Sequence, residues 1–412
     1  MPSPEFFQVL PVADALALFD QHWQPQPPAE TIATASALDR ILAADVHSPE
    51  QVPAFRKSTV DGYAVRGSDT FGASQSLPAF LRLRGELRMG EAPRDDIDAG
   101  EALLIHTGGM LPASADAVVM LEHAQTINEG EIEILRAAAP GENVIQAGED
   151  VAAGALVLPR RHRLRPQDIG GLLAVGIHEV EALSRPRVGI LSCGDELAPP
   201  EASLRPGMVR DINAYTLSAL AEKHGAAPLR LGIAADAIED YRQRAQAGFA
   251  ACDILLLSAG SSVSARDYTR DVINGLGEPG VLQHGLATKP GKPTIIAVCE
   301  KKPVIGLPGN PVSALLVARQ LLPHLIGRYL GRRPEPPATK KARLSQRVAS
   351  VTGREDWLPV KLTRADDGET LAQPVFGKSN LIFTLIDADG LLRVPLNTGG
   401  YESGSIVDIE RI

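Results

Sequence analysis

A chain of 412 residues has room for two to four domains with buried cores, and its 44% hydrophobic and 22% charged residues are ordinary for a globular protein. No window approaches the roughly 18 uninterrupted apolar residues that a membrane span needs, so no membrane partner is expected. A formal net charge of −9 argues against nucleic acid as a general partner, because that binding needs clustered cations facing phosphates. The opening MPSPEFFQVLP has no basic region leading into an apolar core, which gives no expectation of secretion. Cys193, Cys252 and Cys299 lie far apart, without CxxC or Cys/His spacing. They suit a reducing cytoplasm and argue against a thiolate metal site.

In chain order, Glu5 to Gln21 carries helical spacing through Phe6, Val9, Leu10, Ala13, Leu16, Ala17 and Asp20, and ends before QPQPP. From about Ala29 to Gly148 the texture changes to short alternating runs such as LRLRGEL and DAVVMLEHA, which predict an inserted β-domain. RPQDIGGLLAVGI reads as a short helix with Pro166 early and Gly176 near its end, expected to pack back on the first helix. Strands and helices then alternate: strand Arg187–Leu191, helix Asn213–His224, strand Leu229–Ile233, helix Ala237–Ala250, strand Ile254–Leu257, a helix from Tyr268, strands Thr294–Val298 and Val304–Leu307, and helix Pro311–Tyr329. Such alternation predicts a parallel sheet with helices on both faces. RRPEPP reads as a stiff linker. The last stretch, with WLPVKL, GLLRVPL and SIVDIE, reads as a small β-barrel. The expected fold is therefore a multidomain α/β plus β chain: a helical/linker domain (1–28 and 149–182), an inserted mixed β-domain (29–148), a three-layer α/β parallel-sheet domain (183–331) and a C-terminal β-barrel (332–412).

Three loops in the α/β part share one chemical meaning. LLLSAGSSVSARD puts Ser258, Gly260, Ser261, Ser262 and Ser264 after a buried-strand pattern, where open α/β sheets bind ligands. Glycine lets backbone N–H groups approach an anion, and serine hydroxyls add donors. KPGKP supplies Lys289 and Lys292 on a proline-stiffened turn, and Gly309-Asn310-Pro311 sets a helix N-terminus nearby. A serine-rich turn or a KPGKP turn alone is an ordinary surface feature. Together the three predict an anionic ligand.

Carboxylates recur in turns that this layout places at strand ends: Asp61, Glu149, Asp150, Asp195, Glu196, Asp236 and Asp267. Hard oxygen ligands suit Mg²⁺, which binds through one or two carboxylates and keeps phosphates or waters elsewhere. Asp236 and Asp267 have helix capping as an alternative, and Asp211 and Asn213 read as turn and cap residues. Asp61-Gly62 on spacing alone is a hairpin turn signal. Asp195-Glu196 repel one another unless a cation or helix N-terminus compensates, which favours a metal role for Glu196. Thr107-Gly108-Gly109 reads as a turn whose hydroxyl could also donate to an oxyanion. The nine histidines show no metal spacing, and neither a Gly-x-Ser-x-Gly elbow nor a Walker loop is present.

VDGYAV, IHTGG, DAVVM, AGED, SCGDEL, KPGKP and LPGNPVSA, in this order, resemble the MoeA/gephyrin E-domain family of molybdopterin molybdotransferases, and GKSNL and DADGLLRVP extend the likeness to the C-terminus. The resemblance implies an α/β domain like that of molybdopterin adenylyltransferases and a homodimer with a shared active site. It also implies insertion of molybdate into adenylylated molybdopterin, with Mg²⁺ and release of AMP. A docked molybdopterin adenylyltransferase is a further partner to consider. Carried over by position, the family's functional residues are Asp61, Thr107, Asp150, Glu196, Asp236, Asp267 and Lys289. Metal contact falls to Glu196, Asp61 and Asp267. Ligand contact falls to Ser258, Gly260, Ser262, Arg266, Lys289, Lys292, Gly309, Asn310 and Ser379.

The chain also departs from the family pattern. Ala259, Ser261 and Ser264 replace two glycines and a valine of the usual Ser-Gly-Gly-Val-Ser-Val-Gly, Cys193 replaces a threonine, and Gly285 stands where the family has a lysine. Arg266, just before Asp267, is the expected compensating cation. A diverged, non-catalytic carrier or scaffold for molybdopterin or the finished cofactor is the alternative function, and the cations of the anion site discriminate the two.

Overall fold

The computed structural model describes residues 8–259, 263–333, 335–366 and 368–412, and of residues 263–267 it describes the backbone alone. Two compact units emerge: Glu30–Ala182, and Met1–Ala29 together with Leu183–Ile412. The first helix, α1 (Val12–His22), starts later than its periodicity predicted and belongs to the second of these. Its phase also differs. Ala15 and Phe19 form the buried face, whereas Ala13 and Ala17 are exposed; Phe6 lies outside the described residues.

The unit Glu30–Ala182 is built on a mixed six-stranded sheet. Its strands are β1 (Gly62–Val65), β2 (Ala79–Leu87), β3 (Glu101–Ile105), β4 (Ala117–Met120), β5 (Ala124–Asn128) and β6 (Glu131–Ile134), in the order β4-β1-β3-β2-β6-β5. Side-chain alternation sends Tyr63, Val65, Val119, Ile132 and Ile134 to one core and Ala64, Ile105 and Val118 to another. Asp61-Gly62 is not a hairpin turn here. Gly62 opens β1, and a Cβ there would sit 2.1 Å from the Val119 carbonyl oxygen, so glycine is required by close strand approach. Helix α2 (Pro166–Ala174) follows the expected signals, with Pro166 in its first turn and Gly176 at φ +76° just past its end. It buries Leu172 in a cluster with Leu42, Leu164 and Val180. Helix α1 and helix α2 fall in different compact units.

Asp168 fixes the start of α2. Its Oδ2 accepts the Arg165 N–H at 2.8 Å and contacts His162 Nε2 at 2.7 Å, and both carboxylate oxygens accept the Arg165 guanidinium. The bonds from Arg165 hold this carboxyl well below the usual carboxylate range. Asp168→Asn should lower unfolding stability by about 1–2 kcal/mol. Because the folded pKa is depressed, that stabilisation is present above the unfolded value, roughly 3.9, and is lost as pH falls toward the folded one. Thermal melts of both proteins at pH 7 and pH 3 check this: the gap should shrink at the lower pH.

In the other unit, Leu183 onward forms the α/β module. Its elements are β7 (Arg187–Cys193), α3 (Asn213–Lys223), β8 (Ala227–Ala234), α4 (Ile238–Ala251), β9 (Ile254–Ala259), α5 (Val263–Asn274), β10 (Pro279–His284), β11 (Thr288–Lys289), β12 (Ile295–Cys299), β13 (Lys302–Pro308) and α6 (Pro311–Tyr329). The main sheet runs β8-β7-β9-β13-β12-β10. Only β8, β7, β9 and β13 pair in parallel; β12 is antiparallel to both of its neighbours. The all-parallel expectation fails because β12 and β13 form a hairpin through Glu300 and Lys301, both at positive φ (44° and 61°), a turn that neither residue type signals. Helix α5 also begins five residues before Tyr268, which places Asp267 inside it rather than at its cap. Helix α1 docks on α6, where Asp20 pairs with His324 and Arg328, each at 2.9 Å.

The C-terminal part contains β14 (Thr339–Leu344), β15 (Glu355–Arg364), β16 (Thr370–Pro374), a short helix α7 (Phe383–Ile386), β17 (Gly390–Val394) and β18 (Ile406–Arg411). The order β15-β16-β14-β18-β17, with β17 pairing back to β15, closes a five-stranded barrel around Val360, Leu392, Val394 and Ile409. Strand β11 adds to β15 through Thr288↔Glu355 and Lys289↔Asp356. The KPGKP segment is thereby tied to the barrel.

Candidate active site

Strands β9, β10 and β13 run in one direction, so the three anion loops leave the same edge of the sheet. A cavity of about 480 Å³ lies there, lined by Ala259, Lys289, Lys292, Gly309, Ser313, Arg354 and Ser379 among others. The KPGKP turn rests directly on α6: Gly291 has φ +115°, and a Cβ on it would come within 2.1 Å of Val317 Cγ2. Thr294 donates its hydroxyl to the Gly291 carbonyl at 2.7 Å. Asn310 precedes the first turn of α6 and donates from Nδ2 to Ser379 Oγ at 3.0 Å. The Val312 N–H donates to the Ser379 carbonyl, and the Ser379 hydroxyl keeps its own proton to donate. Lys289 is largely exposed, with Nζ 4.0 Å from Asp356 Oδ2, while the buried Asp356 also accepts from Arg354 Nε at 2.9 Å. One carboxylate therefore sits behind two of the cations.

A second cavity, of about 320 Å³, contains Cys193, Glu196, Asp211, Asn213, Ser258 and Asn310. Asn213 binds two loops together, donating from Nδ2 to Ser258 Oγ at 2.8 Å and to the Gly309 carbonyl at 2.9 Å. Ser258, expected as a ligand donor, is thus first a structural acceptor. Asp211 accepts the Ala214 N–H, so it caps α3 as anticipated. Asp236 does not cap α4; its N–H donates to Asp195 Oδ1 at 3.1 Å, and its carboxylate lies 3.5 Å from Cys193 Sγ. Burial, and then the charge of Asp236, push the Cys193 thiol up to about 12, so it remains a protonated donor and no nucleophile. Glu196 is exposed on the turn after β7, folded over Gly194 so closely that a Cβ at 194 would meet its Oε2 at 2.6 Å. Among the described residues no three His, Cys, Asp or Glu side chains are grouped to hold a metal ion. A cation bridging to phosphates needs only one or two protein carboxylates.

The unit Glu30–Ala182 carries its own cluster. Asp61 Oδ1 accepts the Thr107 N–H at 2.7 Å and the Thr107 hydroxyl at 3.0 Å, and these bonds lower its pKa. The Thr107 hydroxyl proton is therefore engaged by Asp61 rather than offered to an oxyanion. His106 lies beside them, 3.9 Å from Asp61 and 2.7 Å from Glu86. Asp150 is exposed, and its backbone N–H is held by the Val52 carbonyl.

Of the remaining expected site residues, Gly260 and Ser262, with Ser261, lie outside the described residues, as do the side chains of Ser264, Arg266 and Asp267. The position of the missing family lysine has a local reason: Gly285 is buried at φ +112°, with its N–H given to the Thr294 carbonyl. A lysine would be strained there. Arg354 and Ser313, which the sequence reading passed over, both line the cation-bearing cavity.

Three family models match the chain: "MoeA N-terminal region (domain I and II)" over residues 10–176, "Probable molybdopterin binding domain" over 189–327, and "MoeA C-terminal region (domain IV)" over 341–412. A molybdopterin molybdenumtransferase of Haemophilus influenzae is 32% identical, with 92% of this chain and 93% of that protein covered. One from Bacillus subtilis is 30% identical over 94% of this chain and 91% of its own length. The crystal structure of a molybdopterin biosynthesis MoeA protein from Pyrococcus horikoshii superposes with a TM-score of 0.85 at 38% identity, covering 98% of this chain and 99% of that one.

Proposed function

The chain belongs to the MoeA family, and from that membership we infer that it is a molybdopterin molybdenumtransferase, an enzyme of molybdenum cofactor synthesis that inserts molybdate into adenylylated molybdopterin and releases AMP. The observation that carries this reading is the convergence of the anion loops on one cavity holding Lys289, Lys292 and Arg354. Molybdate is a tetrahedral dianion, and three cations with hydroxyls from Ser313 and Ser379 match its charge and its four oxygens. The N-terminus of α6 adds its dipole. Fixed positive charge at an oxyanion acts mainly by electrostatic stabilisation.

The carboxylates have complementary work. Glu196, exposed at the mouth of the adjoining cavity, would hold Mg²⁺ together with substrate phosphate oxygens, and the cation would supply charge neutralisation at the diphosphate. Asp236 and Asp267 stand in the neighbouring turn and helix as further acidic groups for the same purpose. Asp61, Thr107 and Asp150 belong to the other compact unit, and a homodimer in which that unit completes the partner's cavity would make them part of a shared site.

Arg354 takes the place of the cation that Gly285 cannot supply. Arg354→Ala should raise the molybdate KM by about tenfold or more, the cost of losing a charge-assisted donor. Arg354→Lys should recover only part of this, because a lysine lacks the two-pronged fork. Molybdenum retained on the pterin product, quantified by mass spectrometry against molybdate concentration, reads both. An unchanged molybdate dependence in Arg354→Ala would remove this residue from the anion site.

A further inference from the structure

Asn213 opens α3 and is only 7% exposed, yet one end of its amide is idle. The Nδ2 group spends both protons, one on Ser258 Oγ at 2.8 Å and one on the Gly309 carbonyl at 2.9 Å. A carbonyl oxygen can only accept, so the amide nitrogen has to face Gly309 and the orientation of the group is fixed. Its Oδ1 is left buried with no hydrogen-bond partner among the described residues. An unpaired buried acceptor is unfavourable, so this side chain is a poor choice for packing alone. What it supplies is a pair of donors. The start of α3 that carries them is itself pinned, because Asp211 Oδ1 accepts the Ala214 N–H at 3.2 Å.

The two acceptors belong to different strand ends. Ser258 lies near the end of β9, in register with Leu307 of β13, while Gly309 follows β13 and leads through Asn310 into α6. The ladder between these strands ends at Ala259↔Pro308, and beyond it Asn213 is a cross-tie between the first and third anion loops. A hydroxyl that accepts the Asn213 N–H keeps its own proton to give, and Ser258 lines the cavity that holds Glu196. We propose that Asn213 is a positioning residue for the transfer reaction: it sets the separation of the two loops and leaves the Ser258 hydroxyl as a donor toward substrate phosphate. The assignment rests on the transferase reading above. Asn213 acts through Ser258 and Gly309, so its loss displaces donors by a fraction of their reach while the cations stay in place. Misalignment of that kind appears in kcat more than in substrate binding.

Asn213→Asp tests this because it keeps the shape and reverses the chemistry. The carboxylate takes the Ser258 proton and repels the Gly309 carbonyl, whereas its protonated form can donate to that carbonyl again, and burial raises the pH at which it does so. At about pH 8 the variant should release AMP about a hundredfold more slowly than the wild type, with the KM for adenylylated molybdopterin changed less than about threefold. At about pH 6 the ratio to the wild type should recover about tenfold. Cys193, Glu196, Arg210 and Asp211 line the same cavity and titrate in both proteins, so the ratio removes their contribution. Asn213→Ala has no proton to regain and should show a similar kcat loss that is flat with pH. Wild-type kcat in Asn213→Ala, a loss confined to KM, or a flat ratio in Asn213→Asp overturns the assignment. Thermal melts at both pH values establish the folded fraction. Where Asn213→Asp does not fold, the cycle of Asn213→Ala with Ser258→Ala decides: the double variant should be little slower than the slower single one, and losses that simply multiply overturn the coupling. If the wild type itself shows no molybdate-dependent AMP release, the transferase reading fails and this assignment with it, whereas wild-type turnover with indifferent variants removes Asn213 alone.

Discussion

Glu196→Gln should lower molybdate-dependent AMP release by about a hundredfold or more while leaving molybdopterin binding close to wild type. The substitution keeps the side chain's size and removes only its charge. Glu196 sits on the tight turn after β7, in a cavity with Ser258 and Asn310 from two of the anion loops, and its carboxylate is exposed. A carboxylate held in that position next to Asp195, with Asp236 on the loop whose N–H donates to Asp195, raises the local negative potential. Such an arrangement is stable when a cation is present, and the substrate's diphosphate provides its other ligands. Adding excess Mg²⁺ should restore part of the variant's activity, because a weakened site fills at higher concentration. Turnover at the wild-type rate under limiting Mg²⁺ would show that Glu196 has no metal role.

Mixing two inactive variants should restore activity. Asp61 lies in the unit Glu30–Ala182 and Lys289 in the unit that carries the α/β module, so Asp61→Ala and Lys289→Ala damage different halves of the proposed shared site. Each homodimer then has two broken sites. A heterodimer has one site with both lesions and one with neither. Equimolar mixing with free exchange gives half heterodimers, and total activity should recover to about a quarter of the wild type. Asp61 is a fair choice because its side chain is largely exposed, which limits collateral unfolding. No recovery, with heterodimers confirmed by mass, would mean that each site is built within one chain.

Much of this site was legible in the sequence because glycine, lysine and proline at the anion loops do local work. Gly291 must be glycine where the turn meets Val317, and Pro311 marks the first turn of α6. The buried run Ile254–Leu257 likewise predicted a central parallel strand, which pairs on both sides in β9. Features set by distant pairing were not legible. Arg354 reaches the cation-bearing cavity because β11 pairs with the start of β15, a contact between segments far apart in the chain. The β12–β13 hairpin turns at Glu300-Lys301 without glycine or asparagine, so the alternation alone predicts continued parallel order. Local rules also misled in two places. Asp61-Gly62 carried a hairpin signal, yet Gly62 is dictated by the approach of β4, and the helical phase of α1 was set by docking on α6 rather than by its most obvious apolar spacing.

The most direct measurement is the release of AMP from adenylylated molybdopterin by the purified full chain, with and without molybdate and with and without Mg²⁺. Release that requires both, with molybdenum recovered on the pterin product, is the predicted result. AMP release that is absent, or that proceeds equally without molybdate, while the chain still binds molybdopterin, would contradict it and identify a carrier in place of a transferase.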